Sequence, residues 1–261
     1  MSVKLNALLL AALYTAIIGV GMYVSLHWAG YAYGDPYFVR VLSWVELVLL
    51  ALAVFWIRAF YNWPEVGMGK IADARELLWL LPPGVIIVWG WIVLLSHIQL
   101  PGERLGVFAL VGLTTLLVGI SEELVYRGVV LRGFLKNGSV WVAMLVSAVT
   151  FSLLHSVNYF GGVNGAGVVA QLKFTFLVGL VYAPIAIRLG AIWPLMVLHW
   201  LWDFLLIGGL TSLSGPPAEI ANLLRPLIIA EAAILWFSIW IFPPASLRHR
   251  ERRDESHKHQ P

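Results

Sequence analysis

Gly119-Ile120-Ser121-Glu122-Glu123-Leu124-Val125-Tyr126-Arg127-Gly128 sets two adjacent carboxylates and an arginine into a chain of 261 residues that is 60% hydrophobic and 12% charged. Read as a helix, the stretch puts Glu123 and Arg127 four apart on one face, acid first, which is the favourable order for an ion pair. Glu122 then points about 100° around the helix. One carboxylate is paired and the other is free. A charge inside a membrane segment costs about 2.5–3.5 kcal/mol even on the lenient insertion scale, which makes it a functional-site candidate by default. The plainer alternative is a charge cluster at a helix end.

The surroundings decide what kind of helix this is. A soluble domain carries about 25% charged residues, whereas this chain has half that and a mean hydropathy of +0.85. The missing charge implies a lipid-facing surface, so the expected fold is all-α: a polytopic membrane protein of about eight transmembrane helices, with any active site inside the bundle. With no cysteine, the chain has neither disulfides nor thiolate metal sites. The net charge of +3 would suggest nucleic acid as partner in a soluble protein; here the basic residues read as topology signals, and nucleic acid is not an expected partner.

Working outward, the helix of the Glu-Glu stretch begins near Leu105 and meets its first breaker pair only at Asn137-Gly138, so it is expected to run to about Lys136. Before it lie apolar spans at about residues 5–28, 39–60 and 77–98, the third containing Pro82-Pro83, which either kink the helix or mark its true start. After it come spans at about 140–157, 168–187, 191–207 and 224–242. No polar stretch is long enough for a second domain: residues 1–247 read as a single integral membrane domain with its motifs between 122 and 203, and residues 248–261 as a charged, disordered cytoplasmic tail. With the N-terminus inside, only Arg40, Arg104, Lys173 and Arg225 among the lysines and arginines fall on the outer side. That bias places both termini in the cytoplasm and fits the plasma or inner membrane of a prokaryote.

Three further polar residues sit within the apolar spans: His155, in Phe151-Ser152-Leu153-Leu154-His155, and both His199 and Asp203, in His199-Trp200-Leu201-Trp202-Asp203. Each pair at i, i+4 shares a helix face. With a turn at 137–139, Glu122 and His155 lie about fifteen and sixteen residues on either side of it, hence at nearly the same depth; His199 and Asp203 lie roughly 15–20 Å along their helix, a comparable level. One chemistry for such a layer is water activation, with Glu122 as general base and His155 sharing the water's protons, while His199, with Asp203 one turn on, faces the oxyanion of a tetrahedral intermediate. This needs no cofactor. The rival is a metal, since imidazole and carboxylate suit zinc or another divalent ion, although no His-Glu-x-x-His helix is present.

Glu122-Glu123-x-x-x-Arg127, Phe151-x-x-x-His155 and His199-x-x-x-Asp203, in that order on three helices, resemble the motifs of the CPBP family of intramembrane glutamic endopeptidases, which includes the CAAX prenyl proteases. The resemblance implies that Glu122 and His155 activate water, that Glu123 and Arg127 support them, and that His199 and Asp203 belong to the oxyanion site. It also implies, as partners, membrane lipid and a membrane-tethered peptide or prenylated protein cleaved near its C-terminus. CAAX proteases carry Asn where this chain has Asp203. An ionised Asp cannot donate a hydrogen bond, so Asp203 is either protonated or orients His199. A non-enzymatic relative, acting as scaffold, immunity factor or transporter, is the reading outside enzymology.

Other residues have plainer expectations. Phe151 is apolar and packs to shape the site. Glu46 and Glu231 read as paired helix-to-helix contacts, Trp28, Trp193, Trp200 and Trp202 as interfacial or packing aromatics, Asn158 and His97 as solvated residues near span ends, and the basic tail as an anchor to anionic headgroups.

Overall fold

The computed structural model describes residues 1–136, 138–211, 218–244 and 247, with the side chains of 218–226 left aside. The tail at 248–261 and the Gly215-Pro216-Pro217 loop lie outside the described residues. The described chain is built of helices: α1 (Val3–His27), α2 (Val39–Phe60), α3 (Leu81–His97), α4 (Gly102–Glu123), α5 (Leu131–Leu135), α6 (Val140–Leu154), α7 (Gly165–Leu189), α8 (Trp193–Thr211) and α9 (Ala218–Ile241). Three short 3-10 segments join them, at Pro36–Phe38, Ala74–Leu80 and His155–Gly161, and a π-helical segment, Leu124–Val130, links α4 to α5 without a break.

Seven stretches among the described residues are long and apolar enough to cross a membrane, and Leu227–Ile241 in α9 is a shorter apolar helix at the position of the eighth expected span. The protein is an integral membrane protein of all-α class. Its outer surface explains the composition: Trp44, Phe55, Val85, Ile92 and Leu113 turn large apolar side chains outward, as a bundle dissolved in hydrocarbon requires, because a lipid-facing position has no water to exclude.

Local signals set the boundaries. The Pro82-Pro83 pair marks a true start: the chain runs as 3-10 helix to Leu80 and turns α-helical at Leu81, where a proline in the first turn removes only a donor that has no partner. Asn164 caps α7 by accepting from Gly167 N–H at 2.8 Å, after Gly162 turns the chain at φ +94°. The α-helix of the fifth span stops at Leu154, three residues before the expected end, and His155 opens the 3-10 segment.

The longest element carries the site. Gly102–Leu135 is continuous for 34 residues, about 50 Å at 1.5 Å per residue, well beyond a hydrocarbon core of about 30 Å. The Glu-Glu pair is therefore interior to a helix, and the helix-end alternative is excluded. At the same level α4 lies directly against α8: a Cβ added to Gly119 would stand 2.9 Å from both Met196 O and Trp200 N. Only a glycine lets these backbones approach so closely, and the approach brings His199 to the glutamates. Gly179 does the same for α7 against α6, where a Cβ would stand 2.7 Å from Ala148 Cα.

Candidate active site

The two glutamates differ in what they touch. Glu123 Oε1 accepts from Arg127 Nη1 at 2.9 Å, the i, i+4 pair expected from spacing, with neither side chain exposed. The same oxygen also accepts from His199 Nδ1 at 2.9 Å, across from α8, a contact that spacing along one helix does not reveal. Its second oxygen, Oε2, is buried without a partner. Glu122 has no such commitment. Its Oε2 is buried, makes no hydrogen bond, and lies 3.8 Å from His199 Nε2, beyond hydrogen-bond range.

The π-helical segment starts immediately after this pair. Its bonds run i to i+5, as from Leu131 N–H to Tyr126 O, so the helix takes in an extra residue and the side chains beyond it are re-aimed. Ser147 on α6 donates to Tyr126 O at 2.9 Å and fixes the widened turn against the next span. Such segments occur frequently at functional sites.

Arg127 is fully buried, and its guanidinium lies 4.0 Å from the Phe151 ring centre and 5.1 Å from that of Tyr182. Cation–π attraction thus takes up faces that hydrogen bonds leave open, since Nε and Nη2 have no partner. Phe151 is the hub of the layer. Its ring meets Arg127, His155 edge-on at 5.3 Å between centroids, and His199 edge-on at 5.9 Å.

His155 and His199 are both oriented through Nδ1. His155 Nδ1 faces Phe151 O at 3.1 Å; a carbonyl only accepts, so Nδ1 carries the proton and Nε2 of the neutral ring is left with a lone pair. Among the described residues no hydrogen bond joins His155 to Glu122, and the two are linked through Phe151 and His199. His199 gives its Nδ1 proton to Glu123 and turns Nε2 towards Glu122 and towards Asp203, whose Oδ2 is 3.4 Å away. Asp203 is one turn on in α8 and more open than His199, with 22% of its side chain exposed against 7%.

The seven residues singled out by sequence, Glu122, Glu123, Arg127, Phe151, His155, His199 and Asp203, thus form one layer across α4, the π segment, α6 with the 3-10 segment after it, and α8. Others were missed. Tyr14 from α1 and Ser121 from α4 meet Glu46 of α2: Tyr14 Oη lies 2.7 Å from Ser121 Oγ, and Ser121 Oγ donates to Glu46 Oε2 at 3.2 Å. Glu46 is therefore the helix-to-helix contact expected of it, placed directly behind the Glu-Glu pair. Two expectations fail. Asn158 is buried and bonded to Gln171 at 2.9 Å, because the 3-10 turn after His155 swings it inward instead of into solvent. Glu231 Oε1 is buried and has no hydrogen-bond partner among the described residues, so the paired contact expected of it is not seen at that oxygen. No group of three or more His, Asp or Glu side chains among the described residues is arranged to hold a metal ion.

Residues 104–205, from the start of α4 to the middle of α8, match the family model described as type II CAAX prenyl endopeptidase Rce1-like. The matched segment contains every residue of the layer. No curated protein and no solved structure gives a significant match. Over these residues, less than half of its length, the chain is similar to the type II CAAX prenyl endopeptidases.

Proposed function

We propose, with residues 104–205 taken as an Rce1-like segment, that the protein is an intramembrane glutamic endopeptidase that hydrolyses a peptide bond near the C-terminus of a membrane-tethered, CAAX-type substrate. One observation carries the reading: of two adjacent buried carboxylates, Glu123 is held by Arg127 and His199, while Glu122 presents an uncommitted oxygen to the same imidazole. A carboxylate with a free buried oxygen is suited to take a proton from water, and one held by a guanidinium and an imidazole is suited to hold geometry.

In this mechanism Glu122 is the base and His155 Nε2 the second acceptor on the water. His199 is fixed by Glu123 at Nδ1, so a proton on Nε2 is its one donor to an oxyanion. Asp203, 3.4 Å from that nitrogen, serves to orient the ring. The bias of basic residues supports a topology with both termini in the cytoplasm.

The test is cleavage by the purified protein in detergent of a farnesylated CAAX peptide and of the same peptide unmodified, with a strong chelator as a parallel arm. His155→Ala is expected to lower turnover by about 10²-fold or more, the general acid–base contribution, and the chelator to change nothing. Recovery of chelated activity by added metal would replace the glutamic mechanism with a metal-dependent one. Preference for the farnesylated peptide is the expected substrate result.

A further inference from the structure

Three polar side chains form a hydrogen-bonded chain beside the layer. Asn158 stands three residues after His155 in the same 3-10 segment, and its Nδ2 donates to Gln171 Oε1 on α7 at 2.9 Å. Gln171 Nε2 in turn donates to Tyr33 Oη at 3.0 Å. Tyr33 belongs to the connection between α1 and α2, and that connection is pinned to the far end of the 3-10 segment that His155 opens: Tyr33 N–H donates to Gly161 O at 2.8 Å, while the ring packs on Phe38 at 5.5 Å between centroids. On the other side of Gln171, Phe174 stacks on Trp202 at 6.0 Å, next to Asp203 in sequence.

This chain has a direction. The phenol oxygen accepts from Gln171, so the Tyr33 proton points elsewhere, and no hydrogen bond among the described residues uses it. Burial pushes the hydroxyl up to about 12, and the Asp203 and Glu122 carboxylates act in the same sense. Tyr33 therefore keeps its proton, and it is bonded to the end of the segment that His155 opens. Position 203 carries a carboxyl group in place of an amide and so brings no N–H, and His199 is the N–H donor that α8 turns towards the layer.

We propose that the Tyr33 hydroxyl is the second oxyanion donor of the reaction, with Gln171 and Asn158 as positioning residues. The inference rests on the endopeptidase reading. The water oxygen bonds to the scissile carbonyl carbon, its proton passes to Glu122, and the carbonyl π pair moves onto oxygen, where Tyr33 O–H and His199 Nε2–H donate. On collapse that pair re-forms the carbonyl, the C–N bond breaks, and the leaving nitrogen takes the proton back from Glu122, giving a carboxylic acid and an amine. Tyr33 donates a hydrogen bond throughout and transfers no proton.

The experiment measures kcat and KM of the full-length protein in detergent for the same peptide. Tyr33→Phe is expected to lower kcat by about 10²-fold, as loss of one oxyanion donor does, with KM unchanged. In an Asp203→Asn background, where an amide supplies a donor, the same change is expected to cost less than about a tenth as much. Gln171→Leu, which leaves the phenol but frees its direction, is expected to shift kcat the same way and to carry the test if Tyr33→Phe does not fold. An unchanged kcat in Tyr33→Phe, or an equal loss with Asp203 and with Asn at position 203, would overturn the inference while leaving the endopeptidase reading in place. Full cleavage by Glu122→Gln would remove both.

Discussion

The Arg127→Leu protein is expected to lose about 3–5 kcal/mol of stability, the cost of removing one partner of a buried ion pair and leaving its charge uncompensated. Arg127 and Glu123 are both fully buried at 2.9 Å, and Glu123 Oε2 already lacks a hydrogen bond. The substitution leaves His199 as the one cationic or donor group on Glu123 and empties the space between Phe151 and Tyr182, whose rings lie 4.0 and 5.1 Å from the guanidinium carbon. Thermal unfolding in detergent reads the loss. The double variant Arg127→Leu with Glu123→Gln is expected to recover part of it, because it removes both charges. A single variant as stable as the wild type would mean that the pair is not what holds the layer.

The Glu122→Gln protein is expected to behave in the opposite way, folding with wild-type stability and losing cleavage by about 10²–10⁴-fold, the range for a general base. The substitution keeps volume and shape, and Glu122 Oε2 has no hydrogen bond to forfeit. What it removes is the ability to accept a proton. The adjacent Glu123 cannot take over, since its Oε1 is held by both Arg127 and His199 at 2.9 Å.

The contrast between neighbours was half legible in sequence. An i, i+4 spacing is a property of one helix, so it located Glu123 with Arg127, Phe151 with His155 and His199 with Asp203, and each pair is in contact or one turn apart as expected. Extending the fourth span to its first breaker pair put Glu122 inside the bundle, and Gly102–Leu135 follows that extension. The hidden features are those that join distant parts of the chain. The His199–Glu123 bond links residues 76 apart, Tyr14 and Ser121 are 107 apart, and Gln171 and Tyr33 are 138 apart. No periodicity encodes such pairings; they follow from helix order and from the close approach at Gly119. The π-helical segment left no signal either, because Leu124–Val130 has no proline and its single glycine is tolerated in an α-helix.

Asn158 shows how a sound rule misleads. A polar residue after a span reads as solvated, and Asn158 follows α6 by only a few positions. The chain, however, continues inward as 3-10 helix to Gly161, and a buried amide then needs partners, which Gln171 supplies.

The account stands on the division of labour within one Glu-Glu pair, and the most direct measurement is the cleavage rate of Glu122→Gln per folded molecule, with folding verified by thermal unfolding of the same sample. An unchanged unfolding temperature with no detectable product is the predicted result. Cleavage at the wild-type rate by the folded variant would contradict it.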